Sequence, residues 1–186
     1  MIEQSISNHT LLETLVRNTP CDERTKNKFL ERLVEGFITR NENEKSHLCA
    51  FFLLFDNKSG KLFIGNHKKS GLWLFPGGHL DPGEIPTECV KREAKEETDI
   101  VLTDRQIGEP SLLTKIEIEN PERQKCRVHF DIWFFIAVDQ KIQMSEEKLS
   151  KEYSDWGWLT PEEIRQLPNL PNYIETVLQA IETNMS

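Results

Sequence analysis

Two hydrophobic rhythms divide the chain. Over residues 1–46 the apolar positions recur at helical spacing. Leu11, Leu12, Leu15 and Val16 form one stripe, and Phe29, Leu30, Leu33, Val34 and Phe37 continue it. Between these stripes Thr19-Pro20-Cys21-Asp22 reads as a helix start, with Thr19 as cap, Pro20 first in the helix and Asp22 in its first turn. The polar run Asn41-Glu42-Asn43-Glu44-Lys45 closes the segment. An apolar stripe on a helix usually means burial. Residues 1–46 are therefore expected to be a helical N-terminal extension that packs on the following domain, or on a second copy as a homodimer.

Residues 47–186 change rhythm. An apolar run at 48–55, the turn Asn57-Lys58-Ser59-Gly60 and a return over 61–64 predict a hairpin. Residues 72–75 lead into Pro76-Gly77-Gly78. Two further strands are expected at 112–118 and 126–138, joined by the polar segment Glu119-Asn120-Pro121-Glu122-Arg123. In the second, Val128, Phe130, Ile132, Phe134 and Ile136 share one face, with His129, Asp131 and Trp133 opposite. Thr160-Pro161-Glu162-Glu163 reads as a capped helix start, and Ile174, Val177, Leu178 and Ile181 mark a final amphipathic helix. The fold class is α/β, with helices on both sides of a mixed sheet.

The chemistry is concentrated between Gly78 and Ile100, in GHLDPGEIPTECVKREAKEETDI. Residues on an α-helix advance by about 100° each, so Glu93, Glu96 and Glu97 fall in one sector of the helix that Pro86 starts. Three neighbouring carboxylates repel one another unless a cation sits among them, and hard divalent ions take oxygen ligands while reaching substrate phosphates. Arg92 can pair with a carboxylate, and Glu84 in the preceding loop is the natural partner. Taken alone, the run KREAKEE also suits a solvated helix of alternating charge.

Written as a pattern, the stretch is G-x5-E-x7-R-E-A-x-E-E-x-D-I. It resembles the Nudix box, with Asp99 where that family has glycine. A glycine there would end the helix in the left-handed conformation, which aspartate tolerates at some cost. The resemblance implies a Nudix-type α/β/α sandwich over roughly residues 47–183. It also implies water-dependent hydrolysis of a nucleoside diphosphate linked to another moiety, with Mg²⁺ or Mn²⁺ as cofactor. On this reading Glu93, Glu96 and Glu97 are metal ligands, one of them able to activate water. The Gly77 carbonyl is a further ligand, and Glu84 and Arg92 form the ion pair that orients the helix. Signatures of members acting on coenzyme A, NADH, dinucleoside polyphosphates and ADP-ribose are not evident, which leaves a generic nucleoside phosphate pyrophosphohydrolase.

Outside the box the candidates are weaker. Lys68, Lys69, Gly78 and Asp131 are the candidate substrate-binding positions, although Gly65–Gly71 also reads as an exposed hairpin turn. Glu146, Glu147 and Glu152 are expected in a loop, where one could act as a distal base. Trp73, Phe75 and Trp156 are aromatic enough to stack on a base, but suit a core equally well.

Length and charge trim the partners. At 186 residues one domain is the default. A net charge of −8 argues against non-specific binding to a nucleic-acid backbone but permits a metal-bridged nucleotide. No apolar run spans a membrane. The start MIEQSISNHT lacks signal-peptide character, so a cytoplasmic location is expected. Cys21, Cys49, Cys89 and Cys126 are widely spaced with no C-x-x-C pair, and are expected to be reduced thiols rather than zinc ligands. Two rival readings stay open: a catalytically idle Nudix domain that binds a nucleotide or regulates, and an RNA 5′-pyrophosphohydrolase.

Overall fold

The computed structural model describes residues 2–118 and 125–185. The expected connection at 119–123 lies outside the described residues. The sheet is built around β1 (Ser46–Asp56), whose run of Leu, Phe and Ala is buried along most of its length. It pairs in parallel with β6 (Val128–Ala137) and antiparallel with β2 (Lys61–His67) and β4 (Gly77–His79). Beyond β2 lie β3 (Trp73–Leu74) and β7 (Tyr153–Leu159), and beyond β6 lies β5 (Leu112–Glu117). The resulting seven-stranded sheet is mixed, with the main order β3-β2-β1-β6-β5.

Period-two alternation splits the side chains of β1 and β6 between two cores. Leu48, Ala50, Phe52 and Leu54 join Phe130, Ile132, Phe134 and Ile136 in one cluster. Leu53 and Trp133 join the other, with Ile174, Val177, Leu178 and Ile181 from the last helix, α7 (Ile174–Met185). Helices therefore cover both faces, as an α/β/α sandwich requires. No helix among the described residues is long and apolar enough to cross a membrane.

The N-terminal helices α1 (Ile2–Asn18) and α2 (Glu23–Glu35) close one of these cores. Leu12, Val16, Phe29 and Leu33 are buried with the sheet residues, and the Phe29 ring meets Phe130 edge-on at 5.1 Å. The predicted start of α2 needs correction. Asp22 is the cap, accepting the Thr25 N–H at 2.9 Å, while the Thr19 hydroxyl donates back to Leu15 O at 2.7 Å. A carboxylate beside a free N–H outcompetes a hydroxyl already spent on the preceding helix. Val34 and Phe37, placed on the apolar stripe, are exposed, and Phe37 lies beyond the helix end.

The box helix is also not uniform. α3 (Pro86–Glu93) gives way to a π-helical turn over Ala94–Thr98, so the three glutamates do not share one regular α-helical sector. Such turns are often found at functional sites. After the short α4 (Asp104–Ile107), a second difference appears at Glu146–Glu152: the expected loop is a helix, α5, capped by Ser145. Thr160 caps α6 (Pro161–Arg165) as expected, through a reciprocal pair with Glu163.

Candidate active site

α3, its π turn and β4 pack together along a cavity of ≈ 1620 Å³, and Gly77, Gly78, Glu93, Glu96 and Glu97 all line it. Gly78 makes this approach possible. A Cβ at that position would lie 2.1 Å from Glu93 Oε1, so any side chain there would expel the carboxylate. The Arg92 guanidinium holds the loop to the helix. Its Nε and Nη2 donate to the two Glu84 oxygens at 2.9 Å each, Nη1 donates to Glu93 at 2.7 Å, and Nη2 also reaches His79 O at 3.0 Å. This forked pairing fixes the guanidinium plane as an ammonium could not.

The π turn separates the glutamates by environment. The Glu96 side chain is 61% exposed and meets Arg92 at 3.4 Å. Glu97 is buried and takes the Tyr153 hydroxyl at 2.6 Å and the Gly77 N–H. Burial disfavours its charged form and pushes its pKa up to about 8, against the two hydrogen bonds. Burial likewise raises Glu93, against the pull of Arg92. The accepting groups here are all oxygen. With two carboxylates withdrawn from water, this set fits a hard divalent cation, which would stabilise the charges that burial disfavours.

The helix end at Asp99 is left-handed, with φ 67°. Lys95 and then Lys148 bond its carboxylate and hold its pKa down at about 2. Asp99 does not line the cavity.

The remaining candidates divide. Asp131 reaches the cavity wall, and its Oδ1 is buried without a hydrogen-bond partner among the described residues. Burial raises its pKa well above the usual carboxylate range. Lys69 lines the cavity but is 81% exposed beside Glu152. Lys68 does not line it, because its ammonium is bound to the Ser150 carbonyl. Of the acidic run, Glu152 lines the cavity, 3.6 Å from His67, whereas Glu147 points out to Lys151. Among the aromatic candidates Phe75 lines the cavity, and Trp73 and Trp156 do not.

Tyr153 was not among the predicted positions. Nothing in its neighbourhood of the sequence signals a role, since its link to Glu97 spans 56 positions. His47, His79 and Cys126 were also missed as site residues. His79 and Cys126 line the cavity with His129, and buried His47 joins them from behind its wall.

A mixed sheet between helical layers, with a carboxylate-bearing helix facing a glycine-pair strand, defines the class of the protein. The particular family follows from comparison with known proteins. The family model described as NUDIX domain matches residues 36–181, so the chain belongs to the Nudix family and is a Nudix hydrolase. Hydrolases of this family generally use divalent metal ions. The chain is 30% identical over 116 residues to an RNA pyrophosphohydrolase of Hydrogenovibrio crunogenus, covering 58% of this chain and 70% of that one. To an 8-oxo-dGTP diphosphatase of Proteus vulgaris it is 28% identical over 111 residues, covering 58% and 88%. A NUDIX-family hydrolase from Clostridium perfringens shares the fold with a TM-score of 0.56 at 20% identity, over 74% of this chain and 97% of that one.

Proposed function

We propose that the protein is a pyrophosphohydrolase dependent on Mg²⁺ or Mn²⁺, cleaving a small nucleotide-type substrate by attack of water at phosphorus. The observation that carries this reading is the set of three carboxylates, Glu93, Glu96 and Glu97, on one cavity wall beside Gly77 and Gly78. These carboxylates, with the Gly77 carbonyl, would hold the cation. When bound, such an ion neutralises phosphate charge and makes a water acidic near neutral pH. Tyr153 and the Gly77 N–H fix the Glu97 carboxyl in place, while exposed Glu96 keeps its rotamer freedom. The Glu84–Arg92 pair positions Glu93. Asp131, also on the cavity lining, offers a hydrogen-bonding group for the polar edge of a base, and Phe51 and Phe75 offer apolar walls.

The test is release of mononucleotide and phosphate from a panel of nucleoside di- and triphosphate compounds, with and without Mg²⁺ or Mn²⁺, beside Glu97→Gln. Metal-dependent turnover that collapses in Glu97→Gln supports the reading. Ligand binding with no turnover anywhere would replace it with an idle binding module. The Hydrogenovibrio relative motivates one further panel member, a 5′-triphosphorylated RNA. The chain's −8 charge argues for the small molecule over the polymer.

A further inference from the structure

We propose that His47, His79, Cys126 and His129 form a tetrahedral Zn²⁺ site distinct from the carboxylate set. The proposal does not rest on the hydrolase reading. Residue spacing carries no sign of it, because the ligands come from three strands and a connecting segment. Strand register assembles them. Parallel pairing sets His47 of β1 beside His129 of β6, and antiparallel pairing sets His79 of β4 beside Cys49, which follows His47 on the same face of β1. Cys126 arrives just before β6 begins.

The geometry fits a closed four-ligand zinc site. The four ligand atoms lie within 4.8 Å of one another. Cys126 Sγ is 3.6 Å from His47 Nε2 and 3.7 Å from His79 Nε2. A tetrahedron with zinc–sulfur and zinc–nitrogen bonds of about 2.3 and 2.0 Å has sulfur–nitrogen edges of about 3.5 Å. One thiolate with three imidazoles suits Zn²⁺ and is a poor set for Mg²⁺.

The surroundings favour coordination as well. His47 Nδ1 lies 2.8 Å from the Asn43 carbonyl, which can only accept, so that nitrogen carries the proton and Nε2 keeps its lone pair for a metal. His129 Nε2 is buried with no hydrogen-bond partner among the described residues. On loading, the Cys126 thiol proton passes to solvent and the thiolate binds the ion. The site would clamp β4 to β1 and β6. Because His79 O also accepts from Arg92, the clamp reaches the base of the box helix.

The experiment is metal analysis of the full chain purified without chelator, followed by Co²⁺ titration of the metal-stripped protein. We expect one zinc per chain, and a thiolate-to-cobalt absorption band that saturates at one equivalent and is displaced by Zn²⁺ but not by Mg²⁺. The band should persist in Glu93→Gln, vanish in Cys126→Ser, and require at least about tenfold more Co²⁺ in His129→Gln. Absence of the band from the wild-type chain overturns the proposal, whether or not the variants fold. A band unchanged in Cys126→Ser does so too. The readout is optical, so failed hydrolysis leaves it intact.

Discussion

One cavity is lined by a carboxylate cluster and by three members of a histidine–cysteine cluster, and the two clusters are built in opposite ways. Glu93, Glu96 and Glu97 come from one helix and its π turn, so their proximity is a local property of the chain. His47, His79, Cys126 and His129 meet only because three strands pair in one register. A slip of one residue in β4 or β6 would turn its histidine to the opposite face. The first cluster gathers oxygen and charge, the second nitrogen, sulfur and neutral rings. One pocket can thus hold a site that survives small shifts of the sheet beside one that does not.

The strongest way to break this contrast is to remove a carboxylate. Glu97→Gln should lower metal-dependent turnover by roughly 10²–10⁴-fold, while circular dichroism shows an intact fold. Turnover within a factor of a few of wild type would show that the carboxylates are not the working cluster. Gly78→Ala tests the same wall from the strand side. Its new methyl must push Glu93 aside, so kcat should drop by roughly 10–100-fold with little change in KM.

Stability should distinguish the frame from the ligands. Arg92→Ala strands Glu84, whose side chain is 12% exposed, and should cost about 2–3 kcal/mol in urea denaturation. A loss no larger than that of an exposed pair, such as Lys28–Glu31, would reduce Arg92 to surface decoration.

The pH dependence of the metal-free protein sharpens the comparison further, because the two clusters should pull in opposite directions. Glu97 titrates near 8 when folded, above its ordinary value of 4.5, so the folded state holds the extra proton between those values. Stability therefore falls as pH rises from about 4.5 to about 8, by on the order of 2–4 kcal/mol, and Glu97→Gln should abolish that fall. His79 and His129 titrate near 3, below their ordinary 6.5, so the unfolded state takes the proton first. Stability is lost as pH falls from about 6.5 towards 3, and His79→Gln should soften that loss. Identical pH profiles for wild type and both variants would refute the opposition.

The smallest effect should come from the box's one departure from its family. Asp99→Gly relieves a left-handed aspartate but removes its pairs with Lys95 and Lys148. We expect the melting temperature to move by less than about 3 °C and turnover to be unchanged.

What could be read from the sequence follows the same division. The box, the Glu84 partner of Arg92 and the capped start at Thr160 are all encoded within a few residues of one another, where spacing translates directly into geometry. The start of α2 was misplaced because two polar residues, Thr19 and Asp22, both qualify as caps, and only packing decides between them. The π turn was missed because one extra residue in a helical turn leaves no mark on hydrophobic periodicity. Tyr153 and the histidine cluster were out of reach, since their meaning lies in which strands become neighbours.

One further glycine carries a consequence. A Cβ on Gly65 would lie 2.2 Å from the Tyr153 ring, whose hydroxyl holds Glu97. Positions 65 and 153 are therefore not free to drift independently. Any side chain gained at 65 must be matched by a smaller side chain at 153, because the clash is with the ring carbons nearest its Cβ, and that exchange surrenders the hydroxyl. Across descendants of this chain, the two positions should be inherited as a couple.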